Sequence, residues 1–260
     1  MELALLIIGF VGLFALGVPI AVCIALSTLS TMVMTMDFMP AVTTIAQRMA
    51  GGLNSFALLA IPLFILSGQL MAQGGIARRL IEFSKAMIGM VPGGLAFVNV
   101  ISCTLFGAIS GSSIAATTAV GSFMIPEMKK EGYDSNFAAA ITVTSATTGL
   151  LIPPSNTLIV YAVASGGVSI AALFVAGYVP GILISIATII VCAIYARRHN
   201  FPAGERVPAR VAMKYTVAAL PSLFLIVLVI GGILAGIFTA TEAGAIAVLY
   251  ALLLSAVVYR

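Results

Sequence analysis

The chain has 260 residues, of which 62% are hydrophobic and 8% charged, with a formal net charge of +4. An ordinary soluble domain carries about 25% charged residues, so this composition excludes a water-soluble fold and makes lipid the solvent. The basic residues fall in separate loops rather than one patch, which excludes a nucleic-acid partner, and three cysteines, Cys23, Cys103 and Cys192, all in apolar runs, exclude a disulfide framework.

Leu3 to Met36 carries no charge, and Glu2 stands where a signal peptide would have basic residues, so the run reads as membrane segments rather than a cleaved leader. Gly17-Val18-Pro19 breaks it, because proline removes an N–H and disfavours helix at the residue before it. Two segments, about 3–17 and 19–36, are expected; one tilted, kinked helix is the alternative. Asp37 to Arg48 reads as a polar-interrupted connection. Leu53 to Ala72 reads as a span that contains Pro62 and ends at Gly74-Gly75.

Ile76 to Met90 places Arg78, Arg79, Glu82 and Lys85 between apolar residues at helical spacing. That pattern predicts an amphipathic helix lying along the membrane surface. Val91-Pro92-Gly93-Gly94 then turns the chain. Gly93 to Ile125 is apolar but broken at Ser110-Gly111-Ser112. Each leg holds about 15 residues, roughly 22 Å of helix, short of the roughly 30 Å hydrocarbon core. A re-entrant helical hairpin is expected rather than two full spans.

Pro126 to Asn136 reads as a polar turn. Ser135 to Ser165 reads as a long helix broken at Leu151 to Ser155. A span over Val168 to Ala196, a basic loop over Arg197 to Lys214, and spans over Tyr215 to Ile237 and from Ala243 to Tyr259 follow. With a re-entrant hairpin, Arg78, Arg79, Lys85, Lys129, Lys130, Arg197, Arg198, Arg206, Arg210, Lys214 and Arg260 share one face, and only Arg48 lies on the other. This is the bias expected if the common face is cytoplasmic.

The two breaks are the candidate site. Ser110, Gly111, Ser112 and Ser113 concentrate hydroxyls and glycine at the hairpin tip, whereas simple small-residue packing would spread them along one helix face. Pro153-Pro154-Ser155-Asn156 follows Thr147-Thr148-Gly149. Its prolines leave carbonyls of the preceding turn without donors. Those carbonyls end a half-helix with a negative dipole end and suit a hard cation. Ser155 or Asn156 is placed to cap the next half-helix, whose N-terminus favours an anionic group. The candidate cation residues are Ser110, Gly111, Thr147, Thr148, Gly149 and Pro153. The candidate substrate residues are Ser112, Ser113, Ser155 and Asn156. No Asp, Glu, Lys, Arg or His lies in the core of a span, so neutral oxygens are the available ligands and Na⁺ fits better than H⁺. Glu242 in Thr239-Ala-Thr-Glu242 reads as a capping box, and His199 as a solvated loop residue.

At Ser55-Phe-Ala-Leu-Leu-Ala-Ile-Pro-Leu-Phe64, Gly107-Ala-Ile-Ser-Gly-Ser-Ser113, Leu151-Ile-Pro-Pro-Ser155 and Gly236-Ile-Phe-Thr-Ala-Thr-Glu-Ala-Gly244 the chain resembles the large membrane subunit of the tripartite ATP-independent periplasmic (TRAP) transporters. The resemblance implies an all-α, multi-pass bacterial inner-membrane protein with the fold of an inverted-repeat elevator-type transporter. It implies Na⁺ symport, uptake of an organic acid (a C4-dicarboxylate, a sialic acid or another sugar acid), a small membrane partner subunit and an extracytoplasmic solute-binding protein. On this chain it implies scaffold helices over 1–73, an amphipathic arm over 74–92, and half of a transport domain over 93–198. That half comprises the hairpin 93–125, the broken helix 135–165 and the helix 168–196. A cytoplasmic basic loop over 199–214 and scaffold helices opening a second repeat over 215–260 complete the division. Family members are longer, so the gene product is expected to continue beyond Arg260 with a second hairpin and a second Pro-Pro break. An accessory subunit without transport activity of its own is the alternative. An intramembrane serine protease is disfavoured, because no base lies near the tip serines.

Overall fold

The computed structural model describes residues 2–199, 201, 204 and 207–259. Among them every regular element is helical. The chain divides into two compact units, Met1–Ser55 and Phe56–Arg260. Among the described residues four helices are long and apolar enough to cross a membrane: Phe56–Gln73, Ile170–His199, Ala209–Leu234 and Ala240–Val258. This is a polytopic, all-helical membrane protein.

The first unit holds α1 (Glu2–Ala15), α2 (Ile20–Met32) and α3 (Phe38–Leu53). The break at Gly17-Val18-Pro19 is real: Gly17 has φ 78° and Pro19 precedes α2, which settles the choice for two segments. Small residues let α1 and α2 approach, with Gly9 facing Ser27, and the Ser27 hydroxyl donates to the Cys23 carbonyl at 2.6 Å. The expected connection over Asp37 to Arg48 is instead helix α3. Pro40 sits in its first turn, where its missing N–H costs nothing. The polar residues that seemed to interrupt the run belong to a helix, and the Thr43 and Thr44 hydroxyls bond back to Met39 and Pro40 carbonyls at 2.9 and 2.7 Å.

The second unit opens with a 3₁₀ turn (Phe56–Leu59) leading into α4 (Ala60–Gln73). It continues through α5 (Ile76–Ile88), α6 (Gly94–Ser110), α7 (Ser113–Lys130), α8 (Ser135–Ala146) with a 3₁₀ turn at Thr147–Leu150, α9 (Asn156–Ala164), α10 (Ile170–His199), α11 (Ala209–Leu234) and α12 (Ala240–Leu253), the last ending in a π turn at Leu254–Val258. At its centre is α6, nearly every residue of which is buried. α7 folds back on α6, and α8 lies against both. Around them α4 pairs with α12 through hydroxyls: Ser67 donates to the Ala247 carbonyl at 3.2 Å and Ser255 to that of Leu70 at 3.1 Å. Such bonds and small-residue contacts substitute for the hydrophobic drive that lipid cannot supply between helices.

Three expectations change. The apolar stripe of α5 (Ile76, Ala77, Leu80, Ile81) is buried against α6 and α11 rather than presented to the membrane surface. α7 continues through Pro126 to Lys130, so the second leg is longer than the run to Ile125. The basic loop is shorter than expected, because α10 runs to His199 and α11 begins at Ala209, placing Arg210 and Lys214 on its first turns. His199 is exposed, as expected, but its ring stacks on Tyr195 at 4.0 Å. Arg206 and Arg260 lie outside the described residues. The capping box is formed: Glu242 N–H donates to Thr239 Oγ1 at 3.3 Å, and Thr239 N–H to Glu242 Oε2 at 2.8 Å.

Lys85 at the end of α5 forms an ion pair with Glu127 near the end of α7. The pair closes the base of the hairpin, since α6 starts just after α5 and α7 ends there. Both legs must therefore begin and end at one side. In a cysteine-free background, Lys85→Cys and Lys130→Cys should react with a membrane-impermeant maleimide from the same face. Labelling from opposite faces would rule out the re-entrant hairpin.

Candidate ion and substrate site

The two predicted breaks meet. At the tip, Gly111 adopts φ +63°, a conformation that side chains resist. A Cβ there would lie 2.7 Å from the Pro154 carbonyl oxygen. The Gly111 carbonyl accepts from the Asn156 N–H at 3.4 Å. The hairpin tip thus rests directly on the start of α9.

Behind the tip the backbone of α6 touches that of the 3₁₀ turn after α8. A Cβ on Gly107 would sit 2.7 Å from Gly149 Cα, and one on Gly149 would sit 2.8 Å from Gly107 Cα. Next to this contact, Thr148 Oγ1 donates to Thr104 Oγ1 at 3.4 Å, and Thr104 Oγ1 is 3.2 Å from Ser185 Oγ on α10. α10 supplies the third wall. Its Gly177 and Gly181 lie against the Leu151 carbonyl and the Ile152 side chain, where any Cβ would overlap them. Ser110 packs against Gly68 of α4. Non-helical backbone is tolerated at membrane depth only when protein buries it or it lines a polar cavity. Here α4, α6 and α10 do the burying.

Four helix ends converge on this joint. α6 and the turn after α8 bring C-terminal ends, and α7 and α9 bring N-terminal ends. Both N-termini are capped by serine: Ala115 N–H donates to Ser112 Oγ and Leu158 N–H to Ser155 Oγ, each at 3.3 Å. The Ser110 hydroxyl donates to the Ser112 carbonyl at 3.3 Å, and the Ser155 hydroxyl donates to the Leu150 carbonyl. Ser110, Gly111, Thr148, Gly149, Pro153 and Ser155 are buried, while Ser112, Ser113, Thr147 and Asn156 are half-buried. All ten sequence-predicted residues therefore lie on the two segments that meet. Thr147 is the least engaged, its hydroxyl turned back to the Thr144 carbonyl at 2.6 Å.

Oxygen atoms are plentiful and charges absent. No charged residue occurs from Gly93 to Pro126 or from Ser135 to Ala196. Among the described residues no group of His, Cys, Asp and Glu converges in a way that could hold a metal ion. Two oxygens near the break, Ser145 Oγ and Asn156 Oδ1, are buried without a hydrogen-bond partner. Buried polar atoms left unpaired are rare in native structures. Ser145, Thr104 and Ser185 were not singled out from sequence; hydroxyls are common in membrane helices, and only tertiary contact distinguishes these.

The fold and this joint define a membrane protein built on discontinuous helices, the arrangement by which many secondary transporters hold their cargo. Residues 7–260 match the family described as tripartite ATP-independent periplasmic transporter, DctM component, and the chain belongs to that family of inner-membrane transport proteins. It is 51% identical over 252 residues to the uncharacterized protein YgiK of Salmonella typhimurium, covering 97% of this chain and 58% of that protein. It is 41% identical to the C4-dicarboxylate TRAP transporter large permease protein DctM of Vibrio cholerae, covering 100% and 57%, and 37% identical to the sialic acid TRAP transporter large permease protein SiaM of the same organism, covering 98% and 59%. The chain thus spans less than two thirds of the length of these relatives.

The glycine contact predicts a steric threshold. Gly107→Ala and Gly149→Ala each force backbone apart, and overpacking of this kind costs about 1–3 kcal/mol, or about 2–4 °C of thermal midpoint per kcal/mol. Gly12→Ala, with nothing within 4 Å of its Cβ position, should leave the midpoint the same or raise it, since alanine favours helix over glycine by up to about 1 kcal/mol. Equal melting of all three variants would show that the two backbones do not touch.

Proposed function

We propose that this chain forms part of the permease of a Na⁺-coupled TRAP transporter that imports an organic acid. The observation that carries the reading is the joint itself: two carbonyl-bearing half-helix ends and two capped N-termini brought together where no side chain is charged. In this reading Na⁺ is cargo. Carbonyl oxygens of the turns at Ser110–Gly111 and Thr147–Gly149 and the bend at Pro153, with one or two hydroxyls, replace its water. The unpaired oxygens of Ser145 and Asn156 suit the same role, since a hard cation takes oxygen ligands. The substrate carboxylate is held by the N-terminal ends of α7 and α9, with the Ser112 and Ser113 hydroxyls and the Asn156 side-chain amide as donors and Ser155 holding the start of α9 in place through its cap. Neutral donors avoid the cost of burying an unpaired cation when the substrate leaves.

The relatives whose names carry a C4-dicarboxylate and a sialic acid share a carboxylate as the common recognisable group. A helix N-terminus recognises that group without fixing the rest of the molecule, so the acid itself is to be found by screening. The arm α5, the scaffold helices on either side of the transport half, a small membrane partner subunit and an extracytoplasmic solute-binding protein that delivers the acid belong to the same reading.

The test is uptake of a labelled acid by the full-length protein with its partner subunit and binding protein, measured against Na⁺ at fixed pH. Uptake should rise with Na⁺ and collapse in choline. Ser110→Ala should raise the half-saturating Na⁺ about two- to tenfold, the worth of one hydrogen-bonding group. Gly111→Val should do more, because it moves the backbone. Uptake that follows a proton gradient and ignores Na⁺ contradicts the coupling.

A further inference from the structure

Asn99 lies in the second turn of α6 and is fully buried in a helix otherwise made of apolar and small residues. Its amide is used on every side. Nδ2 donates to Thr142 Oγ1 on α8 at 2.7 Å and points also at Met128 Sδ on α7 at 3.6 Å. Oδ1 accepts from the Cys103 thiol at 3.4 Å. Thr142 spends its own proton on the Ala138 carbonyl at 2.7 Å, so its lone pair is what Asn99 meets. One side chain therefore ties the two legs of the hairpin to the broken helix.

The contacts of α6 with α8 and the turn that follows it keep a nearly constant offset. Asn99 meets Thr142, Thr104 meets Thr148, and Gly107 meets Gly149, separations of 43, 44 and 42 residues. An offset that stays within 42 to 44 means that α6 runs parallel to α8 and its following turn toward the joint. Hydrophobic packing fixes that register weakly: a slip of one turn, about 5.4 Å, would exchange one set of apolar contacts for another. A buried polar pair penalises the slip, because each partner would be left unpaired in an apolar interior. A slip would also replace the Gly107–Gly149 contact with side chains that cannot fit there.

We infer that Asn99 is a positioning residue: by pairing with Thr142 it sets the register of α6 on α8 and so the spacing of the carbonyl-bearing ends at the joint. It touches neither cargo. Its consequence for ion affinity rests on the Na⁺ reading above, while its effect on register does not.

The experiment uses the full-length protein with its partner subunit and separates the two. Register is read by disulfide formation between Thr104→Cys and Thr148→Cys in a cysteine-free background, whose native side-chain oxygens lie 3.4 Å apart. Asn99→Leu and Thr142→Val should each lower the cross-linking yield, and the double variant should be no worse than the more severe single one. Without the cysteine pair, both should raise the Na⁺ concentration that half-saturates uptake, and that which half-shifts the thermal midpoint relative to choline, about two- to tenfold. Ser67→Ala, which removes a comparably buried hydroxyl between α4 and α12, should lower the midpoint and move neither readout. Unchanged cross-linking and unchanged Na⁺ dependence in Asn99→Leu, with only the midpoint lowered as in Ser67→Ala, overturns the inference. Lowered cross-linking in a protein whose parent ignores Na⁺ upholds the register role and overturns the Na⁺ reading instead.

Discussion

Gly107 and Gly149 meet backbone to backbone, and the rest of the second unit is arranged around that approach. With no Cβ on either residue, α6 and the turn after α8 close until their main chains touch, and the ends of both half-helices are carried to one place. The tip can then rest on Pro154 and Asn156, and the irregular backbone from Leu151 to Ser155 is covered by the glycine surface of α10. Every polar main-chain group in a membrane interior must find a partner, and this close packing supplies the walls within which the two breaks can exist.

Charge is distributed to suit. The segments that form the joint carry none. Among the described residues the charged contacts sit on α5 and its neighbours: the ion pairs Arg78 with Glu82 and Lys85 with Glu127, and the Arg79 guanidinium stacked 3.7 Å over the Tyr259 ring. The result is a neutral, oxygen-rich interior whose polarity comes from helix ends, serine caps and a ladder of hydroxyls from Thr148 through Thr104 to Ser185. Among the described residues, such an interior carries no side-chain charge to desolvate in a low-dielectric surrounding.

Much of this was legible in the amino acids. Gly111 between serines and Pro153-Pro154 after Thr147-Thr148-Gly149 break otherwise apolar runs, and breakers act locally, so their positions follow from sequence alone. The turn at Gly17, the caps at Ser155 and Thr239 and the all-helical class follow for the same reason. That the two breaks share one site was expected, but the contact that joins them, Gly111 on Pro154 and Asn156, was not legible. Gly111 and Asn156 are far apart in the chain, and no local pattern says that they touch. Helix α3 was hidden because threonines and Arg48 on one face imitate a loop. The stripe of α5 was visible, but periodicity cannot say whether protein or lipid covers it. Asn99 escaped notice because a single amide among apolar residues gains meaning only through Thr142, on another helix.

The central claim is that the two breaks close on each other to make one oxygen-lined site. The most direct measurement is a pair of cryo-EM maps of the full-length protein, one in sodium chloride and one in choline chloride. The account predicts the hairpin tip seated on the Pro153-Pro154 segment, with a density peak, present only in sodium, that is coordinated by oxygens from both breaks. A tip separated from that segment in both maps, or a sodium-dependent peak bound elsewhere in the protein, would contradict it.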